Sequence, residues 1–168
     1  MKLKKSSLFV ILLLSSCTVI KKDYGNYSDI DGLKKVVPKV ESYSKYGNPK
    51  TYKVFGVQYK TLDTHIGYSE EGIASWYGKK FHGRLTSTRE KYDMYKLTAA
   101  HKTLPIPCYA RVTNLKNKKS IIVRINDRGP FKKGRIIDLS YAAAVKLGIE
   151  KSGTQKVFVE AINASQFK

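Results

Sequence analysis

The sequence predicts a mostly β domain of about 90 residues that begins near Gly72 and carries one short helix. Two observations predict it: short β-prone runs alternate with turn residues from Gly72 onward, and only one segment has a firmly helical pattern. Ile73-Ala74-Ser75-Trp76-Tyr77 is the first strand. Tyr109 to Asn114 and Ser120 to Asn126 alternate apolar and polar residues on either side of Leu115-Lys116-Asn117-Lys118-Lys119, which reads as a hairpin with a cationic loop. Arg135 to Leu139 is a further short apolar run. The helix takes Ser140 as N-cap, runs through Tyr141-Ala142-Ala143-Ala144-Val145-Lys146-Leu147 and stops at Gly148, a residue suited to the C′ position. Thr154 to Ile162 closes the domain as its last strand, and residues 164–168 form a tail.

Upstream of the domain the chain has a different character. Lys2, Lys4 and Lys5 precede an uncharged apolar run from Leu8 to Leu14, the order of a secretory signal, and the run is too short to span a bilayer. Leu14-Ser15-Ser16-Cys17 resembles the bacterial lipobox, so residues 1–16 are expected to be removed and Cys17 to become a lipid-modified N-terminus anchored in a membrane. Thr18 is not the Asp associated with inner-membrane retention. A cell-envelope protein on an outer membrane, facing the periplasm, is the expectation. Residues 17–48 show no sustained period and read as a lipid-anchored flexible tether. Residues 49–71 form an N-terminal extension in which Tyr52-Val54 and Val57-Tyr59 flank Gly56 as a hairpin, and residues 72–163 are the domain itself.

The formal charge is +19, or +16 without residues 1–16, which carry three lysines and no acid. Such a charge calls for anionic partners. No nucleic-acid motif or basic recognition helix is present, so wall polymers and lipid head groups rank above nucleic acid for an exported protein. With Cys17 acylated, Cys108 is the one remaining thiol, no intramolecular disulfide forms, and the apolar Pro105-Ile106-Pro107-Cys108-Tyr109 setting reads as burial. The three histidines have no metal-ligand spacing, and no cofactor fingerprint occurs, so neither metal nor cofactor is expected.

After Gly72 the acids are few: Glu90, Asp93, Asp127, Asp138, Glu150 and Glu160. Glu90 and Asp93 share a polar loop. Asp127 ends a strand in Asn126-Asp127-Arg128-Gly129-Pro130, where Gly and Pro turn the chain and leave the acid at a cleft. A carboxylic acid that protonates a glycosidic oxygen must hold its proton near neutral pH, through partial burial or a second carboxylate. Glu90 or Asp93 close to Asp127 would supply that second charge. Arg128 opposes it. Trp76 is read as core, whereas Phe81 and Tyr92 are read as groove aromatics that stack on sugar rings, with Arg128 beside them on substrate.

The blocks Gly72-Ile73-Ala74-Ser75-Trp76-Tyr77-Gly78, Phe81-His82-Gly83-Arg84, Tyr92-Asp93-Met94, Leu97-Thr98-Ala99-Ala100-His101-Lys102-Thr103-Leu104-Pro105, Val123-Arg124-Ile125-Asn126-Asp127-Arg128-Gly129-Pro130-Phe131 and Arg135-Ile136-Ile137-Asp138-Leu139-Ser140 resemble the rare lipoprotein A family in order and spacing. The resemblance covers roughly residues 50 to 162. It implies a six-stranded double-psi β-barrel with one short helix. It also implies a lytic transglycosylase that cleaves the bond from N-acetylmuramic acid to N-acetylglucosamine in peptidoglycan, prefers glycan lacking stem peptides and leaves 1,6-anhydro ends. Carried over residue by residue, it places functional acids on Glu90 and Asp127, with His101 essential and Asp93 their neighbour. On this reading Asp127 protonates the leaving oxygen and then, as a carboxylate, assists attack by the muramic-acid 6-hydroxyl; no water is activated. Glu90 stabilises charge or keeps the proton on Asp127, and His101 orients substrate or acid. The same fold also occurs in wall-binding proteins that cut nothing, and that is the alternative.

Two departures stand out. The family usually has a glycine just before Glu90, but here the run is Thr88-Arg89-Glu90, so a loop that needs a positive φ must be rebuilt or strained. Many relatives also carry a C-terminal sporulation-related repeat domain, whereas this sequence runs to Lys168; septal targeting is not implied by it, and charge-based wall binding through the basic tether is expected instead.

Overall fold

The computed structural model describes residues 23–167; the signal segment and the lipidation site Cys17 lie outside them. Among the described residues there are eight strands: β1 Thr51–Val54, β2 Val57–Lys60, β3 Ser69–Tyr77, β4 Thr98–His101, β5 Cys108–Asn114, β6 Ser120–Asp127, β7 Arg135–Ser140 and β8 Thr154–Ala161. The last six close a barrel in the order β3-β7-β4-β6-β5-β8, in which β3·β7 and β4·β6 are parallel and the other pairs antiparallel. This is the six-stranded double-psi barrel. Its interior is small and branched: Ala74, Ala99, Val112, Val123, Ile125 and Leu139 are fully buried, and each of the larger ones contributes about 1.5–3 kcal/mol by leaving water.

Helix α2, Tyr141–Leu147, follows β7 directly. Ser140 caps it by accepting the Ala143 amide, and Gly148 ends it at φ 68°. β4 has no counterpart among the alternating runs of the sequence, because all four of its residues are buried and no period shows. β3 also starts at Ser69, earlier than the apolar pattern indicates, since its first three residues face solvent while pairing with β8.

Residues 23–48 are not a loose tether. Tyr24 packs edge-on against Trp76 and Tyr141 with ring centroids 5.3 and 6.1 Å apart, and the Tyr141 hydroxyl donates to the Gly25 carbonyl at 3.0 Å. α1, Ser28–Asp31, buries Ile30 to 1 % exposure in the core cluster. Gly78 is where the two layers touch: a Cβ there would meet the Asp23 carbonyl oxygen at 2.1 Å, so only glycine admits the segment. Farther on, Glu41 forms an ion pair with Arg124 at 2.8 Å, and Asn48 donates to the Ile106 carbonyl at 2.6 Å and accepts its amide at 2.8 Å. The physical reason the sequence hides this strap is that its anchors are single residues with no period.

β1 and β2 form the hairpin, turning at Phe55 and Gly56, both at positive φ. It rests on the barrel through Tyr52, whose hydroxyl donates to the Lys102 carbonyl at 2.6 Å, and through Tyr59, whose ring lies 5.5 Å from that of Phe131.

Candidate active site

The outer face of β3, β7, β4 and β6 carries the polar residues. Ser75 pairs with Asp138, Asp138 with Ala100, and Ala100 with Asp127, so these four residues form one row across four neighbouring strands. Asp127 enters the row because the β4·β6 register shifts between Ala99 and Ala100: Ala99 opposes Ile125, but Ala100 opposes Asp127, with Asn126 as the extra residue. A bulge at the end of a strand thus aims an acid that regular alternation would have turned inward.

Asp127 is held firmly on one side only. Its Oδ1 accepts from the Ser87 amide at 2.8 Å, the Ser87 hydroxyl at 2.7 Å and the Arg128 amide at 2.8 Å. Among the described residues its Oδ2 has no partner. Ser87 belongs to a tight turn in which the Thr86 amide donates to the Glu90 carbonyl and the Arg89 amide to the Thr86 carbonyl. Arg89 adopts φ 69°, a left-handed conformation that costs a non-glycine residue about 1–3 kcal/mol. The loop is strained, not rebuilt.

That turn presents Glu90. Its carboxylate accepts Arg124 at 2.8 and 3.0 Å and the Asn126 side-chain amide at 2.9 Å. Burial resists ionisation of Glu90, but Arg124 and Asn126 outweigh it and hold the carboxyl below its ordinary range. Glu90 is therefore a fixed negative charge and not a proton donor. It lines a groove of about 580 Å³ together with Asp93, Arg124 and Asn126. Asp93 does not pair with Asp127: its Oδ1 accepts the Tyr95 amide at 3.0 Å and lies 3.8 Å from His82.

Three residues expected at the substrate serve the scaffold instead. His101 is 2 % exposed, and its Nδ1 accepts the Thr103 and Leu104 amides at 3.2 and 3.0 Å, which leaves its proton on Nε2, 2.8 Å from the Tyr68 hydroxyl. Burial, reinforced by Arg128 and Lys102, pushes its pKa down to about 3, so the ring is neutral. It shapes the turn after β4 and makes no hydrogen bond to Asp127 or Glu90. Arg128 turns away from the cleft: its guanidinium donates to the carbonyls of Gly47, His101 and Leu104 and to Asn48 Oδ1, at 2.7, 3.1, 2.5 and 2.8 Å. Tyr92 is 3 % exposed, stacked on Tyr77 at 4.2 Å, with its hydroxyl on the Tyr77 carbonyl. Phe81 is the expected groove aromatic that stays open, at 42 % exposure beside Tyr77 and Arg84.

Asp138 is one of the scarce acids to which the sequence assigns no role. Its position inside Ile136-Ile137-Asp138-Leu139, an acid in an otherwise apolar strand, was the available signal. It is half-buried, its Oδ1 accepts the Ser75 hydroxyl, and Arg135 donates to Ser75 Oγ at 2.8 Å. Burial raises its pKa above the ordinary value; the Ser75 hydroxyl, Arg135 and Lys102 oppose this, and nearby Asp127 adds to it. The Tyr77 hydroxyl is buried beside the two aspartates with no hydrogen-bond partner. Cys108 is buried, and burial pushes its thiol up to about 12, which leaves it inert. Among the described residues no three His, Cys, Asp or Glu side chains are grouped as metal ligands.

The family described as lytic transglycolase matches residues 69–159, the span of the barrel. A Vibrio cholerae protein named endolytic peptidoglycan transglycosylase RlpA is 47% identical over 167 residues, covering 95% of this chain and 63% of that protein. Its namesake from Pseudomonas aeruginosa strain UCBPP-PA14 is 51% identical over 139 residues, covering 83% of this chain and 40% of that one. The chain thus spans between two fifths and two thirds of the length of these relatives. Among solved structures, the Streptomyces papain inhibitor (SPI) superposes with a TM-score of 0.50 at 22% identity, over 60% of this chain and 100% of its own, a likeness of fold. By sequence and by fold, the chain belongs to the lytic transglycolase family and groups there with the RlpA proteins.

Proposed function

We propose that the protein is a peptidoglycan lytic transglycosylase that cleaves the N-acetylmuramic acid to N-acetylglucosamine bond and leaves 1,6-anhydro-muramic ends. The observation that carries this reading is Asp127, held on Oδ1 by three donors while, among the described residues, Oδ2 has no partner. Of the two roles that the resemblance gives Asp127, leaving-group acid and then base, the base role is the one proposed for it here: as a carboxylate, it takes the proton of the muramic-acid 6-hydroxyl while that oxygen closes on the anomeric carbon. Glu90, kept ionised by Arg124 and Asn126, stabilises the positive charge that develops at that carbon. Phe81 offers an aromatic face to a sugar ring. The groove carries Lys39, Lys91 and Lys96 beside the acids Glu41, Glu90 and Asp93, and glycan freed of stem peptides is the substrate proposed. Lipid attachment at Cys17 would hold the enzyme to the envelope membrane, on the outer membrane facing the periplasm.

The test is mass spectrometry of products released from intact and amidase-stripped sacculi by the wild-type chain and by Asp127→Asn. Anhydro-ended fragments from the stripped substrate, reduced at least about 100-fold in the variant, are the expected result. Sedimentation with sacculi but no new products, where a control enzyme cuts, would replace the enzyme by a wall-binding protein.

A further inference from the structure

The proposed reaction moves two protons. One leaves the 6-hydroxyl of the muramic acid, and one must reach the oxygen of the departing N-acetylglucosamine, whose alkoxide is too basic to leave unaided. Asp127 offers the cleft a carboxylate oxygen, and Glu90 is occupied by Arg124 and Asn126. A second carboxyl that carries a proton is needed, and it has to face the same sugar.

We infer that Asp138 is the proton donor of this site, working across Ala100 from Asp127. The geometry rests on register. Asp138 and Asp127 each oppose Ala100, from β7 and from β6, so the two acids stand on one face with a single methyl group between them. Two strand spacings put their Cα atoms about 9–10 Å apart, which leaves room for the sugar's own nucleophile between donor and acceptor. Asp138 Oδ1 is taken by the Ser75 hydroxyl, and among the described residues Oδ2 has no partner. The charged and titratable groups facing Asp138 are Arg135 from its own strand, Lys102 beyond β4, Asp127 from β6 and the Tyr77 hydroxyl from β3. Burial, with Asp127 added, raises the Asp138 pKa above its ordinary value against the two cations and Ser75, so Asp138 keeps its proton to higher pH than a solvated carboxyl.

The step balances. The bond from the anomeric carbon to the departing oxygen breaks, and that oxygen takes the proton of Asp138. The 6-oxygen bonds to the anomeric carbon and passes its proton to Asp127. No water or oxidant is consumed. Before the next turnover the proton returns from Asp127 to Asp138, through solvent at the open face.

This assignment rests on the proposed transglycosylase activity, and the experiment separates the two. The full chain in detergent is assayed on peptide-free glycan and on an aryl glycoside of the same muramic-acid unit, whose leaving group departs without a proton. Asp138→Asn, which keeps the acceptor for Ser75, should lose at least about 100-fold on glycan yet stay within about tenfold of wild type on the aryl substrate, whereas Asp127→Asn loses both. Loss on glycan below about threefold, or equal loss on both substrates, overturns the assignment. Should the variant not fold, wild-type pH profiles decide: the glycan rate falls as pH rises through the titration of Asp138 while the aryl rate does not, and coincident profiles overturn it. A wild-type chain that releases no anhydro product removes the activity itself, and the donor with it.

Discussion

The barrel and the strap that crosses it, residues 23–48, are held by different physics. In the barrel, every strand pairs on both sides, and a continuous interior of Ala, Val, Ile and Leu spreads the stabilisation over many residues. The strap has no strand partner; it is pinned at Tyr24, Ile30, Glu41 and Asn48, with polar chain between. Distributed burial tolerates single changes, whereas an anchored segment fails at its anchors. The site borrows from both regions, since Arg124 binds Glu41 of the strap and Glu90 of the cleft with one guanidinium.

Arg128 gives the largest test of this contrast. It joins Gly47 and Asn48 of the strap to the turn after β4 by donating to acceptors on both. Arg128→Met keeps the aliphatic volume but leaves several part-buried acceptors unpaired, so a loss of at least about 3 kcal/mol is expected in urea denaturation. Proteolysis should then begin near residue 47 before the barrel unfolds. Unchanged stability and cleavage would mean that the strap is held without Arg128.

The middle test is electrostatic. Glu41 meets Arg124 through two hydrogen bonds at 2.8 and 2.9 Å, with both side chains about 20% exposed. Hydrogen bonding to Arg124 lowers the Glu41 pKa against the opposing effect of burial. A carboxyl depressed in the folded state contributes its full stability above the unfolded value near 4.5, and that contribution declines below it and is lost as pH falls through the lower folded value. Glu41→Gln is therefore expected to cost about 1–3 kcal/mol at pH 7 and less at pH 3. Melting curves of both proteins at the two pH values check this, and a gap that persists undiminished in acid would assign the effect to packing.

The same contrast explains what could be read from the sequence. Alternation revealed β5 and β6, and the Ser140 and Gly148 caps bounded α2, because those signals lie within a few residues of one another. β4 has no alternation to reveal, and the strap contacts residues far along the chain. At the site, motif order located Glu90, Asp127 and the turn bearing His101, but residue type does not say which way a side chain points. His101, Arg128 and Tyr92 match the family's pattern and are nonetheless spent on internal hydrogen bonds. Asp127 reaches the cleft through a one-residue register shift with no sequence signature of its own, and Asp138 joins it only when two further strands are laid side by side.

The smallest expected effect has the opposite sign. The β1–β2 hairpin turns at Phe55, which takes φ 48° and is 90 % exposed. A large side chain at positive φ carries a local penalty, and here little burial offsets it, in contrast to Arg89, whose strained backbone holds the turn that positions Ser87 on Asp127. Asn occupies this backbone region far more readily and suits the first position of such a turn. Phe55→Asn should therefore raise stability by about 0.5–1 kcal/mol, visible as a higher melting temperature with barrel and activity unchanged. A lower melting temperature would show that the Phe55 ring gains more from its neighbours than its backbone loses, and the hairpin would then belong with the distributed packing of the barrel and not with the pinned strap.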